Sequence, residues 1–289
     1  MRFDHVLIAD WSAASRPTSA TRLENSIWIG EAGGGEHHFR TRFDAETWLS
    51  ARLAALSGQR VLLGFDFAFA WPTGFARRLT GQADPRAVWR WLADNLTDGP
   101  DNANNRFAVA AAINRRFPTG PGPFWSRPAA MDLPDLPPRR HGIDHAGHGL
   151  AEHRAAETQA DAKSVWMLTN PGAVGSQSLM GQAFLARLDR PGTAVWPFDS
   201  PESLAAAPLV LAEVYPSLLG PLVAQRRREG DVKDRVQVRL LAQALAGLNQ
   251  QGQLAELFAD VPPLAQEEGW ILGAGHAELL RAAVGHDAG

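Results

Sequence analysis

Two hydrophobic patterns run along the chain: short continuous apolar runs, and longer stretches with apolar residues three or four apart. The first predicts strands covered on both faces, the second helices with one buried side. Residues 5–11, centred on Val6, Leu7, Ile8 and Ala9, form the first such strand, which closes on Asp10. Residues 26–30 and 36–40 flank Gly33, Gly34 and Gly35 and read as a hairpin. A helix capped by Asp44 and running to Leu56 follows, with Trp48, Leu49 and Leu53 at helical spacing and Gly58 beyond its end. Val61, Leu62, Leu63, Gly64 and Phe65 make the next buried strand, which ends in Asp66.

A helical pattern spans 84–116, first through Val88, Trp91 and Leu92 and then through Phe107, Ala111 and Ile113. Residues 118–148 are rich in proline, glycine, arginine and histidine without either period, which predicts an inserted loop or lid at about 118–150. Helical character returns over 150–163, and the segment NPGAVGSQS (170–178) leads into a helix ending near Leu188. Strand-like 194–196 and 208–214 follow, the second ending near Glu213. After the arginine turn 226–228, a long helix over 231–248 carries Val238, Leu241, Leu245 and Leu248 on one face, and two shorter segments close the chain. This order predicts an α/β protein with a mixed central sheet and helices on both faces. Without internal repeats or heptads, a single domain over 1–289 is expected.

Composition narrows the class. With 45% hydrophobic residues in 289, the chain can build a large core, which excludes a disordered protein. Charged residues are 20% and the net charge is −3, so any nucleic-acid contact has to be local. Cysteine is absent, which excludes disulfides, thiolate zinc sites and cysteine nucleophiles. No signal-like start and no apolar run of about 18 residues is evident, so a cytoplasmic protein without a membrane span is expected. Among 28 basic residues only Lys163 and Lys233 are lysine, consistent either with chance or with sites that need a compact ammonium.

The acids carry the chemistry. Asp10, Asp66 and Glu213 each end a buried strand pattern, and the carboxyl ends of strands in an open α/β sheet border the ligand crevice. Asp234 lies four residues before Val238 and seven before Leu241, on the face that packs against the sheet; Asp231 lies near that face or caps the helix. Convergent carboxylates repel one another and call for a cation, which makes Asp10, Asp66, Glu213 and Asp234 the expected ligands of Mg²⁺ or Mn²⁺. Lys233 beside Asp234 then holds a phosphate or orients water, or is merely exposed. Each acid taken alone also reads as a turn former or cap, and Glu213 could pair with an arginine instead.

Several segments together resemble the bacterial domain-of-unknown-function family labelled predicted ribonuclease H-like nucleases. They are DWS at Asp10, GFDFAFAWP (64–72), EHRAAET around Arg154 and Glu157, KSVW at Lys163, GAVGSQSLMG (172–181), AEVYPS (212–217) and EEGWILG (267–273). The resemblance covers most of the chain and implies a ribonuclease H-like fold and a metal-dependent nuclease or phosphodiesterase. Some relatives carry a molybdopterin-guanine-dinucleotide synthesis label, although the chain lacks the phosphate loop GxxxxGK[ST]. The acidic balance and the proline-rich insertion depart from a nuclease pattern.

Three functional readings follow: a hydrolase of phosphodiesters, acting on nucleic acid or a phosphate-containing small molecule; an ATP- or nucleotide-binding phosphotransferase of the same superfold; and a non-catalytic binding protein. Arg154, Glu157, Lys163, Gly175, Ser176 and Gln177 are the expected substrate contacts, with glycine and Ser176 before a helix suited to an anion or serving as an ordinary cap. For the first reading, Arg115, Arg116 and 226–228 would supply a basic groove. His141, His145, His148 and His153 read as a loop of solvated histidines, with metal ligation the alternative. Trp71 and Trp125 read as core residues or, alternatively, as base-stacking platforms.

Overall fold

The computed structural model describes residues 1–117, 119–170, 172–259 and 261–284. Strands β1 (His5–Asp10), β2 (Ile27–Glu31), β3 (Gly35–Phe39), β4 (Val61–Phe65), β5 (Thr193–Trp196) and β6 (Leu209–Glu213) form one sheet in the order β3-β2-β1-β4-β6-β5. β2 is antiparallel to β1 and β3, whereas β1, β4, β6 and β5 run parallel, so β2 alone is reversed. The protein is thus α/β with a mixed six-stranded sheet.

Helices α1 (Arg42–Ala55), α2 (Phe75–Thr80), α3 (Pro85–Asn95), α4 (Arg106–Asn114), α5 (Ala155–Gln159) and α6 (Gly175–Leu188) precede β5. Then come α7 (Pro201–Ala206), α8 (Gly220–Arg226), α9 (Lys233–Gln251), α10 (Ala265–Glu268) and α11 (Ala277–Ala283). No helix among the described residues is long and apolar enough to cross a membrane.

The central strands are apolar throughout because both faces are covered, and alternation decides which helix each residue meets. Val6, Ile8, Leu62 and Val210 pack with Val238, Leu241 and Leu245 of α9, while Leu7, Ala9, Leu63 and Leu211 pack with α1 and α6 on the other side. The α9 backbone comes close enough to β2 that a Cβ on Gly30 would lie 2.8 Å from the Val238 carbonyl carbon. This approach brings Asp234, one turn earlier, to the carboxyl end of β1.

Several boundaries differ from the sequence expectation. Thr41, not Asp44, caps α1: its hydroxyl accepts the Asp44 amide and donates to the Asp44 carboxylate. The 84–116 pattern divides into α3 and α4, and the 150–163 pattern keeps only the single turn and a half of α5. Asp231 lies before α9, with its carboxylate accepting the Arg228 amide.

The 118–150 insertion, apart from Pro118, is a packed loop. Phe124, Leu136 and Leu150 are buried in one cluster with α2, α3 and α4. Asn114 at the end of α4 pins the loop, donating to the carbonyls of Phe124 and Asp135 and accepting the Phe124 amide. His145 and His148, expected in solvent, are 4% and 3% exposed. His145 stacks on Trp166 and reaches the Pro123 carbonyl, and His148 lies between the Thr119 hydroxyl and the Pro121 carbonyl. Trp71 is also core, its indole N–H donating to Gln182 and its ring stacked on Trp166.

Candidate functional site

Adjacent parallel strands fix the heart of the site. β1 and β4 pair from His5↔Val61 to Ala9↔Phe65, and the same register carried one residue further sets Asp10 beside Asp66. The Asp66 amide continues the ladder by donating to the Ala9 carbonyl at 3.1 Å. The two carboxyls thus end neighbouring strands and line the same cavity. Asp66 Oδ1 also accepts the Trp11 amide at 2.7 Å, and Trp11 is held by α6, its ring stacked on Phe184 and its carbonyl accepting from Gln177.

Burial pushes Asp66 up to about 7, against the lowering effect of the Trp11 N–H. Asp10 is held well above the carboxylate range by burial and then by repulsion from Asp66 and Asp234. Asp234, in the first turn of α9, accepts the Asn25 amide at 3.3 Å and is raised mainly by burial. The three acids line one cavity of about 700 Å³ that also includes Lys163 and Lys233. Both lysines of the chain therefore meet in the same place.

These carboxylates are hard oxygen donors, the kind Mg²⁺ and Mn²⁺ prefer. Their mutual repulsion is what such an ion would relieve. Among the described residues, no three His, Asp or Glu side chains stand at metal-ligand spacing.

Glu213, expected as a fourth ligand, lines the same cavity but is engaged by an arginine. Both its oxygens are taken by Arg154, at 2.6 Å to Nη2 and 2.8 Å to Nη1, and Oε2 also accepts the Phe69 amide. Arg154 and Glu157, expected at the substrate, line the cavity too and complete this buried assembly: Nε of Arg154 donates to Glu157, and Nη1 also reaches the Glu268 carbonyl. All three side chains are at most 3% exposed. Burial alone would lower the Arg154 pKa, but Glu213 and Glu157 more than reverse this, so it stays charged. The Glu268 carboxylate adds contacts to Thr73 and Ala155. Segments 64–72, 152–158, 212–217 and 267–273 thus meet in a brace behind the strand ends that carry Asp66.

The remaining expectations divide. Lys163, Ser176 and Gln177 line the cavity. Gly175 serves packing, since a Cβ there would lie 2.3 Å from the Val165 carbonyl oxygen. None of Arg115, Arg116 and 226–228 lines the cavity: Arg115 pairs with Asp135, Arg116 reaches the Leu79 carbonyl and lies over Trp91, and Arg227 reaches the Asp231 carbonyl.

The residue that sequence reasoning missed is Arg106. It opens α4, is 9% exposed and lines the cavity, with only neutral hydrogen-bond partners. One arginine between Asn105 and Phe107 gives no local signal, because two of its partners, Ser15 and Ser176, come from far off in the chain. Comparisons with protein-family models, curated proteins and solved structures return no match.

Proposed function

We propose that this chain is a ribonuclease H-like protein that hydrolyses phosphoester bonds with Mg²⁺ or Mn²⁺ held by Asp10, Asp66 and Asp234. The sheet supports the superfold: three neighbouring strands in the order β3-β2-β1, a parallel continuation through β4, and β2 alone reversed. The observation that carries the reading is the placement of Asp10 and Asp66 at adjacent strand ends, lining a cavity that also gathers Asp234 and both lysines.

When bound, a divalent ion supplies Lewis acidity and lowers the pKa of a water molecule. The chain's part is positional. The β1–β4 register holds Asp10 and Asp66 together, the Trp11 amide orients Asp66, and the first turn of α9 presents Asp234. Lys233, exposed beside Asp234, attracts a substrate phosphate toward the acids.

The test is calorimetric titration of manganese together with turnover of bis(p-nitrophenyl) phosphate. Wild-type protein should bind manganese and turn over, and Asp10→Asn should lose at least about 100-fold in rate, the lower end of what one acid–base group contributes. Equal turnover by wild type and Asp10→Asn, or a wild type that ignores manganese, overturns the reading. A nucleotide-dependent phosphotransferase is the second reading, favoured by the Gly172, Ala173 and Val174 segment that lines the cavity ahead of α6. Stabilisation by ATP with magnesium, beyond that from magnesium alone, would select it.

A further inference from the structure

Arg106 is a buried cation without a counter-ion. Its Nε donates to Ser176 Oγ at 3.0 Å, and its Nη1 donates to Ser15 Oγ and Asn104 Oδ1, both at 2.7 Å. Among the described residues neither an ion pair nor an acceptor for Nη2 is present. Asp98, whose charge favours the Arg106 cation, is already engaged by Arg42 through two hydrogen bonds. Desolvating a guanidinium is costly unless a partner repays it, and three neutral oxygens and the Phe107 ring, 4.3 Å from Cζ, repay only part.

The surroundings of Arg106 suit an oxyanion. Ser176 lies in the first turn of α6, a helix of 14 residues that no side chain caps; the Gly175 amide donates to the Met167 carbonyl, while the next amides and the dipole favour negative charge. The Ser176 hydroxyl spends its own proton on the Leu168 carbonyl, which leaves its lone pair to fix the Arg106 plane. Lys163, exposed and on the same cavity wall as Gly172, adds a mobile positive charge.

Resting on the hydrolase reading above, we infer that Arg106, Lys163 and the first turn of α6 bind a second oxyanion of the substrate, apart from the one reacting at the acids. A cavity of about 700 Å³ is the size of a small-molecule site. The substrate class is therefore a small molecule with two phosphate or carboxylate groups, not the interior of a nucleic-acid duplex.

Inorganic phosphate, titrated calorimetrically in the presence of EDTA, tests this without metal or turnover. Wild-type protein should bind phosphate, Lys163→Ala and Arg106→Gln should weaken it roughly tenfold or more, and Asp10→Asn should bind it as well or better. If Arg106→Gln does not fold, the exposed Lys163→Ala variant decides. Undetectable phosphate binding by wild type, or unchanged affinity in Lys163→Ala, overturns the subsite. Phosphate binding without phosphodiester turnover would keep the subsite and sink the hydrolase; turnover with no phosphate binding would do the reverse.

Discussion

Arg154 takes both oxygens of Glu213 through its two Nη atoms, at 2.6 and 2.8 Å, in the wall of the cavity. A bidentate pair this deep is expensive to break from one side, because the remaining charge has no water to turn to. Arg154→Met should cost about 3–5 kcal/mol in urea unfolding, and adding Glu213→Gln to it should recover part of that loss. A single variant within about 0.5 kcal/mol of wild type would show that the brace does not support the fold.

Asp10 and Asp66 should make stability fall as pH rises. Both are raised in the folded protein, Asp66 from 3.8 to about 7, so their contribution is fully present below about 3.8 and lost as pH climbs, the Asp66 part through about 7. Asp10→Asn removes the repulsion and should be roughly 1–3 kcal/mol more stable than wild type at pH 8, with the gap closing by pH 4. Thermal melts across that range check it; a constant gap would contradict the assignment.

The same repulsion sets the response to cations. Manganese at about 100 times its Kd should stabilise wild type by about 2.7 kcal/mol at pH 8. The effect should be much smaller at pH 5, where the pair carries its protons, and should vanish in Asp66→Asn. Equal stabilisation of wild type and variant would place the ion elsewhere.

Acid should loosen the 118–150 loop by a separate route. Burial lowers the pKa of His145 below 6.5, so its contribution is present above that value and lost as pH falls through the folded pKa. Limited proteolysis should therefore cut near Arg139 and Arg140 sooner at pH 5 than at pH 8, and His145→Phe should abolish the difference.

Gly175 offers a steric check. With Val165 oxygen 2.3 Å from where a Cβ would stand, Gly175→Ala should cost about 1–3 kcal/mol and displace the first turn of α6. Phosphate affinity should fall along with stability.

What the sequence discloses follows from how local the cause is. β1, β4 and β6 are legible because a strand covered on both faces must be apolar throughout, and Asp10 and Asp66 are legible as the polar residues that end two such runs. Asp234 is legible from helical phase. Glu213 has the same local signature as Asp10, but its partner Arg154 lies 59 residues away, so pattern alone could not separate ligand from brace. Arg106 is hidden for the same reason. The insertion packs through single anchors such as Asn114, Phe124 and His145 and so leaves no period to read.

Because the Asp66 amide is itself a rung of the β1–β4 ladder, bonded to the Ala9 carbonyl, the site has no hinge of its own. Its amide hydrogens should exchange only through global unfolding, on the slowest timescale in the molecule. Heat-sensitive substitutions anywhere along these two strands would then behave as loss-of-function alleles, failing at the temperature where the sheet fails.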